Sequence, residues 1–142
     1  MEPFRHTFRH TFRVRYAEVD PQSVVFNSRY LEYADILVSE HFREARANGM
    51  PGDVEFHVRK AEVDYLAPIR LDELIEGRLT VETIGNSSMR TRITLHGADD
   101  DSLRAEIRLL TVHVDLPEGR PTPVPDAVRE AFGFPAREKV DG

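Results

Sequence analysis

The sequence predicts an α+β fold in which one long helix lies against a mostly antiparallel sheet. Three observations predict it. A single long segment, Asn27 to Ala45, has helical periodicity; stretches of period-2 alternation lie on both sides of it; and turn-forming clusters join the later stretches as hairpins. At 142 residues the chain suits one domain, 1–142, with a real hydrophobic core.

From Phe4 to Tyr16 the even positions read Phe, His, Phe, His, Phe, Val, Tyr, and the odd positions are Arg and Thr. That is a strand with one apolar face. The tandem "FRHT" unit within it is far too short for a repeat architecture. In the helical segment, Tyr30, Leu31, Ala34, Leu37, Val38, His41, Phe42 and Ala45 form one stripe. Asn27 or Ser28 is expected to cap its start through a side-chain oxygen. "NGMPGD" from Asn48 ends it.

Four strands then follow in succession. Val54, Phe56 and Val58 share one parity, whereas Ala61, Val63, Tyr65 and Ala67 take the other, so a β-bulge is expected near Arg59 and Lys60. Ile75 to Val81 and Met89 to Leu95 alternate cleanly and flank the "GNSS" turn. "GADDDS" precedes a last strand from Leu103 to Leu116, and a short amphipathic piece, Asp126 to Phe132, closes the pattern. One helix covers one sheet face. Apolar residues on the other face are expected to require a partner protomer, most simply a two-fold dimer.

Composition narrows the function classes. There is no cysteine, which excludes a disulfide scaffold, a thiolate metal site and a cysteine nucleophile. A formal charge of −6 argues against non-specific nucleic-acid binding, which depends on excess basic residues. No signal-peptide pattern and no membrane-length apolar run occurs, so the expectation is a cytoplasmic protein with no membrane association. Neither a GxSxG elbow nor a phosphate-binding glycine loop is present. His6 and His10 share a strand face but stand roughly 13 Å apart at ~3.3 Å per residue, too far for one metal ion, and no metal site is expected.

Asp20 stands out by its position. It falls between an apolar strand and a helix start, where unpaired N–H groups and the positive dipole end stabilise an oxyanion. A carboxylate beside such donors is a minimal acyl-transfer site. On the residues alone an Asp-Pro turn is the simpler account. Arg59, Lys60, Arg90 and Arg92 could likewise line a phosphate-binding edge or serve only solubility.

The stretch "RYAEVDPQSVVFNSRYLEYAD" resembles the signature of hotdog-fold acyl-CoA thioesterases of the 4-hydroxybenzoyl-CoA thioesterase-like family. "FHVRKAEVDYLAPIRLDELIEGRLTVETIG" and "RLLTVHVDLPEGRPTPVPDAVREAF" are similar to its later strands and tail, so the resemblance covers about Phe8 to Phe132. It implies a central helix wrapped by a curved sheet, a homodimer or homotetramer, an acyl-CoA substrate and no cofactor. By the same resemblance, Asp20 matches the catalytic carboxylate, nucleophile or general base. Asn27 matches the helix-start position whose backbone N–H polarises the thioester carbonyl. Phe56, His57 and Val58 match the strand flanking the acyl-thioester arm. Ser87, in the Gly85-Asn86-Ser87 turn, matches a stretch near the nucleotide end of CoA, and phosphate contacts would fall to Arg59, Lys60 or Arg90. Ser23 replaces the family's usual glycine, and a serine there is strained if φ is positive. Two other readings of the same fold are a non-hydrolytic acyl-CoA or acyl-carrier binding module, and a hydratase using His41 with Glu44.

Overall fold

Residues 7–136 are described in the computed structural model. Residues 4–6 of the expected first strand, His6 among them, lie outside the described residues. The elements run β1 (Phe8–Arg13), α1 (Arg29–Ala47), β2 (Phe56–Tyr65), β3 (Leu74–Ile84), β4 (Ser88–Gly97), β5 (Leu103–His113) and α2 (Asp126–Ala131), with one 3₁₀ turn at Tyr16–Glu18. The five strands form one antiparallel sheet in the order β1-β3-β4-β5-β2. The helix packs on its inner face.

Alternation fixes which residues meet the helix. On β3 and β4, Ile75, Leu79, Ile93 and Leu95 are fully buried, and Ile107 on β5 joins them. The expected bulge is present: β2 shifts register against β5 between Val58 and Lys60. Its effect is to keep Phe56 and Val58 on the same face as Ala61, Val63 and Tyr65, opposite His113, Thr111, Leu109, Ile107 and Ala105. Without the extra residue, half of this apolar set would face outward.

The helix approaches β3 closely because Gly77 has no side chain. A Cβ there would lie 2.5 Å from Cδ2 of Leu37, which is itself fully buried. The helix start differs from the expected cap. Ser28 occupies the N-cap with helical dihedrals and no side-chain cap bond, and Asn27 gives no such bond either; backbone bonds begin the turn instead, from Arg29 N–H to the Phe26 carbonyl and Tyr30 N–H to the Asn27 carbonyl. The buried stripe also differs, with Val38 and Phe42 only partly buried. Tyr33 is buried, whereas Leu31 is exposed, because Tyr33 turns toward the loop before the helix.

That loop is fastened by Glu18, the end of the 3₁₀ turn that cuts β1 short of the expected Tyr16. Tyr16 itself is 82% exposed rather than on the apolar face. Glu18 is only 5% exposed. Its carboxylate accepts from Arg15 N–H at 2.8 Å, Arg15 Nε at 2.9 Å and the Tyr33 hydroxyl at 3.0 Å. Burial pushes its carboxyl up, but these donors outweigh burial and hold it below the usual carboxylate range. Burial, reinforced by the Glu18 carboxylate, pushes the Tyr33 hydroxyl up, so it remains a donor.

The outer sheet face is not the apolar surface expected from the sequence. Glu76 pairs with both Arg9 and Arg78, and Glu106 with both Arg92 and Arg108. The charges of this face are largely compensated within the chain. On the edge strand β2, by contrast, Val58 is 61% and Tyr65 53% exposed.

Two outcomes follow for stability. Gly77→Ala should destabilise the protein by about 1–3 kcal/mol through overpacking against Leu37, measured by denaturant unfolding. A carboxyl held below its unfolded value stabilises above the unfolded pKa, and that contribution is lost as pH falls through the folded one. Glu18→Gln should therefore melt lower at pH 7 by roughly 1–3 kcal/mol, with the gap to the natural chain closing in acid; a gap independent of pH would contradict the buried-carboxylate account.

Candidate active site

Asp20 sits at the tip of a tight hairpin. Asp20 N–H donates to the Val24 carbonyl at 2.9 Å, Val19 bridges Val25, and Phe26 N–H donates to the Glu18 carbonyl at 3.1 Å. The tip is the turn Asp20-Pro21-Gln22-Ser23, closed by Ser23 N–H on the Asp20 carbonyl at 2.9 Å. Asp20 Oδ1 accepts from Gln22 N–H at 2.8 Å, which holds the half-buried carboxyl in place. Ser23 has φ +63°, the left-handed conformation that favours glycine.

The hairpin is pinned on both sides. Val25 N–H donates to the Ile69 carbonyl at 2.8 Å and Val24 bridges Arg70, so the β2–β3 connection runs alongside it. On its other flank the Glu18 carboxylate reaches Tyr33 on α1. Asn27, one residue past the hairpin, is fixed through its carbonyl, which accepts from the Tyr65 hydroxyl at 3.0 Å. Tyr65 in turn stacks edge-on against Tyr30, with centroids 4.8 Å apart. Among the described residues, nothing accepts from the N–H of Asn27 or Ser28. The helix start is thus held rigidly with its donors free.

A cavity of about 630 Å³ lies between α1 and the inner face of β2–β5. Leu31, Ala34, Val38 and Phe42 line it from the helix, and Val81, Met89 and Leu109 from the sheet. The helix therefore carries two apolar stripes. One packs on the sheet through Leu37, and the other, through Leu31, Val38 and Phe42, faces the cavity. Leu31 belongs to the first turn, which brings the cavity to the helix start.

The residues singled out from sequence divide into groups. Phe56 and Val58 line the cavity; Asp20 and Asn27 lie on the pinned hairpin and helix start. His57 is on the other face of β2, 3.6 Å from Glu55. Lys60 and Arg90 come together on the outer face across Leu110, in a shallow depression shared with Glu62, Glu82 and Arg108, where Lys60 pairs with Glu62 at 2.8 Å. Arg59 is exposed at the bulge. The Gly85-Asn86-Ser87 turn is clasped by the tail and the end of β5: Arg129 donates to the Gly85 carbonyl, Val124 N–H to the Asn86 carbonyl at 2.9 Å, and His113 N–H, on β5, to the Ser87 carbonyl at 2.7 Å. His41 is buried, between the rings of Phe8 and Phe132. Among the described residues, no three His, Asp or Glu side chains converge as metal ligands, and no helix is long and apolar enough to cross a membrane.

Sequence reasoning missed Glu18, Tyr33 and Tyr65, the three side chains that position the site. Tyr65 carried a signal, since its parity on β2 places an aromatic beside the helix start. Glu18 and Tyr33 carried none, because a carboxylate and a hydroxyl fifteen residues apart meet only once the loop has folded.

Comparison with known proteins agrees with this architecture. The model of the thioesterase-like superfamily matches residues 14–132. The chain is 28% identical over 130 residues to the acyl-CoA thioester hydrolase YbgC of Escherichia coli O6:H1, covering 88% of this chain and 95% of that one. A thioesterase from Thermus thermophilus, solved with coenzyme A and Zn, superposes with a TM-score of 0.75 at 27% identity, covering 87% and 90% of the two chains. Slr0204, a 1,4-dihydroxy-2-naphthoyl-CoA thioesterase from Synechocystis, shares the fold with a TM-score of 0.79 at 21% identity, over 89% of this chain and 96% of that one. With its curved antiparallel sheet around one long helix, the chain belongs to the thioesterase-like superfamily and is a hotdog-fold thioester hydrolase.

Proposed function

We propose that the protein hydrolyses an acyl-CoA thioester, with Asp20 as nucleophile or general base and the helix-start N–H near Asn27 as oxyanion donor. The observation that carries this reading is the pinned hairpin that presents Asp20 and runs directly into the helix start at Asn27. Asp20 lies at the hairpin tip and Asn27 one residue past its last paired rung, Glu18 and Phe26, so the same hydrogen bonds tie down both.

The chemistry balances in either version. As nucleophile, an Asp20 oxygen bonds to the thioester carbon and the carbonyl electrons move onto oxygen, where the N–H donors meet them. Collapse breaks the C–S bond, and the thiolate leaves to take a proton from water. Water then hydrolyses the anhydride. As general base, Asp20 takes a proton from water, whose oxygen makes the same attack. In both, the acyl chain enters the cavity past Leu31, Phe56 and Val58.

A second copy of the chain fits this reading. β2 is an edge strand with exposed apolar residues, Val58 and Tyr65, on its inner face. Such an edge is a template for pairing, and a two-fold axis there would close the cavity mouth with the partner's strand. Light scattering should report at least a dimer, and Val58→Lys should shift it toward monomer.

Hydrolysis by the natural chain over a panel of acyl-CoA esters, with Asp20→Asn alongside, tests the function. We expect kcat to fall by about 10²–10⁴-fold in the variant with its melting temperature preserved. Tight ester binding without turnover by the natural chain would instead favour a binding module. Ser23→Gly should keep activity and raise stability by up to ~1 kcal/mol, since glycine adopts the positive φ without strain.

A further inference from the structure

The cavity floor carries two residues that an all-hydrocarbon acyl chain does not explain. Thr91 on β4 and Thr111 on β5 both line the cavity and are only 4% and 7% exposed. The cross-strand neighbours of Thr91 are Val81 and Leu109, both apolar and both on the cavity. Among the described residues its hydroxyl has no hydrogen-bond partner. Thr111 Oγ1 reaches the Met89 carbonyl only at 3.4 Å, beyond the ordinary range for a hydroxyl donor.

The Thr91 hydroxyl opens onto an apolar part of the cavity, where only what fills the cavity can bond it. Valine would fill the same volume on a strand without needing a partner once water is displaced. The two threonines are diagonal neighbours on one face, since Thr91 pairs with Leu109 and Thr111 with Met89. That places their Cα atoms about 7–8 Å apart, a separation one ligand oxygen can address from between them. The cavity's shape adds a second constraint. It follows α1 from Leu31 in the first turn to Arg46 in the last, about 22 Å at ~1.5 Å per residue. That length suits an extended chain better than a compact ring.

We propose that Thr91, assisted by Thr111, is a specificity residue that receives a hydroxyl or keto oxygen borne on an extended aliphatic acyl chain. The inference rests on the thioesterase reading and names its substrate class. An oxygen arriving at Thr91 supplies the missing partner, whereas a plain chain leaves the hydroxyl unpaired. Sites built to bond a substrate hydroxyl reject the analogue that lacks it strongly.

The test compares dodecanoyl-CoA with a series of hydroxydodecanoyl-CoA isomers, the hydroxyl placed at successive carbons. The natural chain should prefer isomers with the hydroxyl in one region of the chain by about tenfold or more in kcat/KM. Thr91→Val should abolish that preference by raising KM for those isomers by about tenfold more than for dodecanoyl-CoA. Equal hydrolysis of all isomers and the plain ester by the natural chain would overturn the proposal. So would a Thr91→Val variant that loses both activities together. Calorimetry with the free hydroxydodecanoic and dodecanoic acids keeps the two readings apart. If no ester is hydrolysed, the thioesterase reading fails on its own. Tighter binding of a hydroxy acid that Thr91→Val removes would still uphold the oxygen site, and equal binding of all the acids would overturn it.

Discussion

The Glu18 carboxylate is the interaction on which the site depends. Isolated and nearly out of water, such a charge would be strongly unfavourable. Here the backbone and guanidinium of Arg15 and the hydroxyl of Tyr33 satisfy both oxygens. Satisfied in this way, the acid becomes a rivet between the loop that carries Asp20 and the helix that follows it. The same loop is stitched from its other side by the Val25–Ile69 bond and the Val24–Arg70 bridge. On the proposed mechanism, a carboxylate and an oxyanion donor held by one set of bonds need little reorganisation at the moment of reaction.

The rest of the molecule serves that placement at longer range. Gly77 lets Leu37 settle onto β3, which seats one side of the helix and leaves its other apolar stripe facing β2 and β5. The bulge at Arg59 turns Phe56 and Val58 to the same side as Ala61 and Val63, so a single strand supplies both wall and mouth of the cavity. Tyr65 at the end of that strand reaches the Asn27 carbonyl. One strand thus shapes the cavity and also fixes the helix start, the two places where the proposed mechanism puts the acyl chain and its thioester.

Much of this was legible in the sequence because it is periodic. The helix, the five strands and the bulge all follow from spacing, and Asp20 is conspicuous from its place before the helix. Ser23 stands at a position that suits glycine, and its positive φ is the strain that a serine there implies. Other features were hidden because they depend on contacts remote in sequence. Leu31 and Val38 read as core residues, yet they line a cavity; a helical wheel reports apolarity, not what it faces. The charge on the outer sheet face was visible residue by residue. Its meaning appears only when register sets Glu76 beside Arg9 and Arg78.

The central claim is that the helix start receives a thioester carbonyl, and a substrate analogue tests it directly. We would titrate isotope-labelled protein with an acyl-CoA analogue in which the sulfur is replaced by methylene, leaving an intact carbonyl that cannot be cleaved. Amide NMR would follow every backbone N–H through the titration. The account predicts a downfield displacement of the Asn27 or Ser28 amide proton, among the largest in the spectrum, that saturates with binding. Saturating binding that leaves both amides unmoved would contradict it.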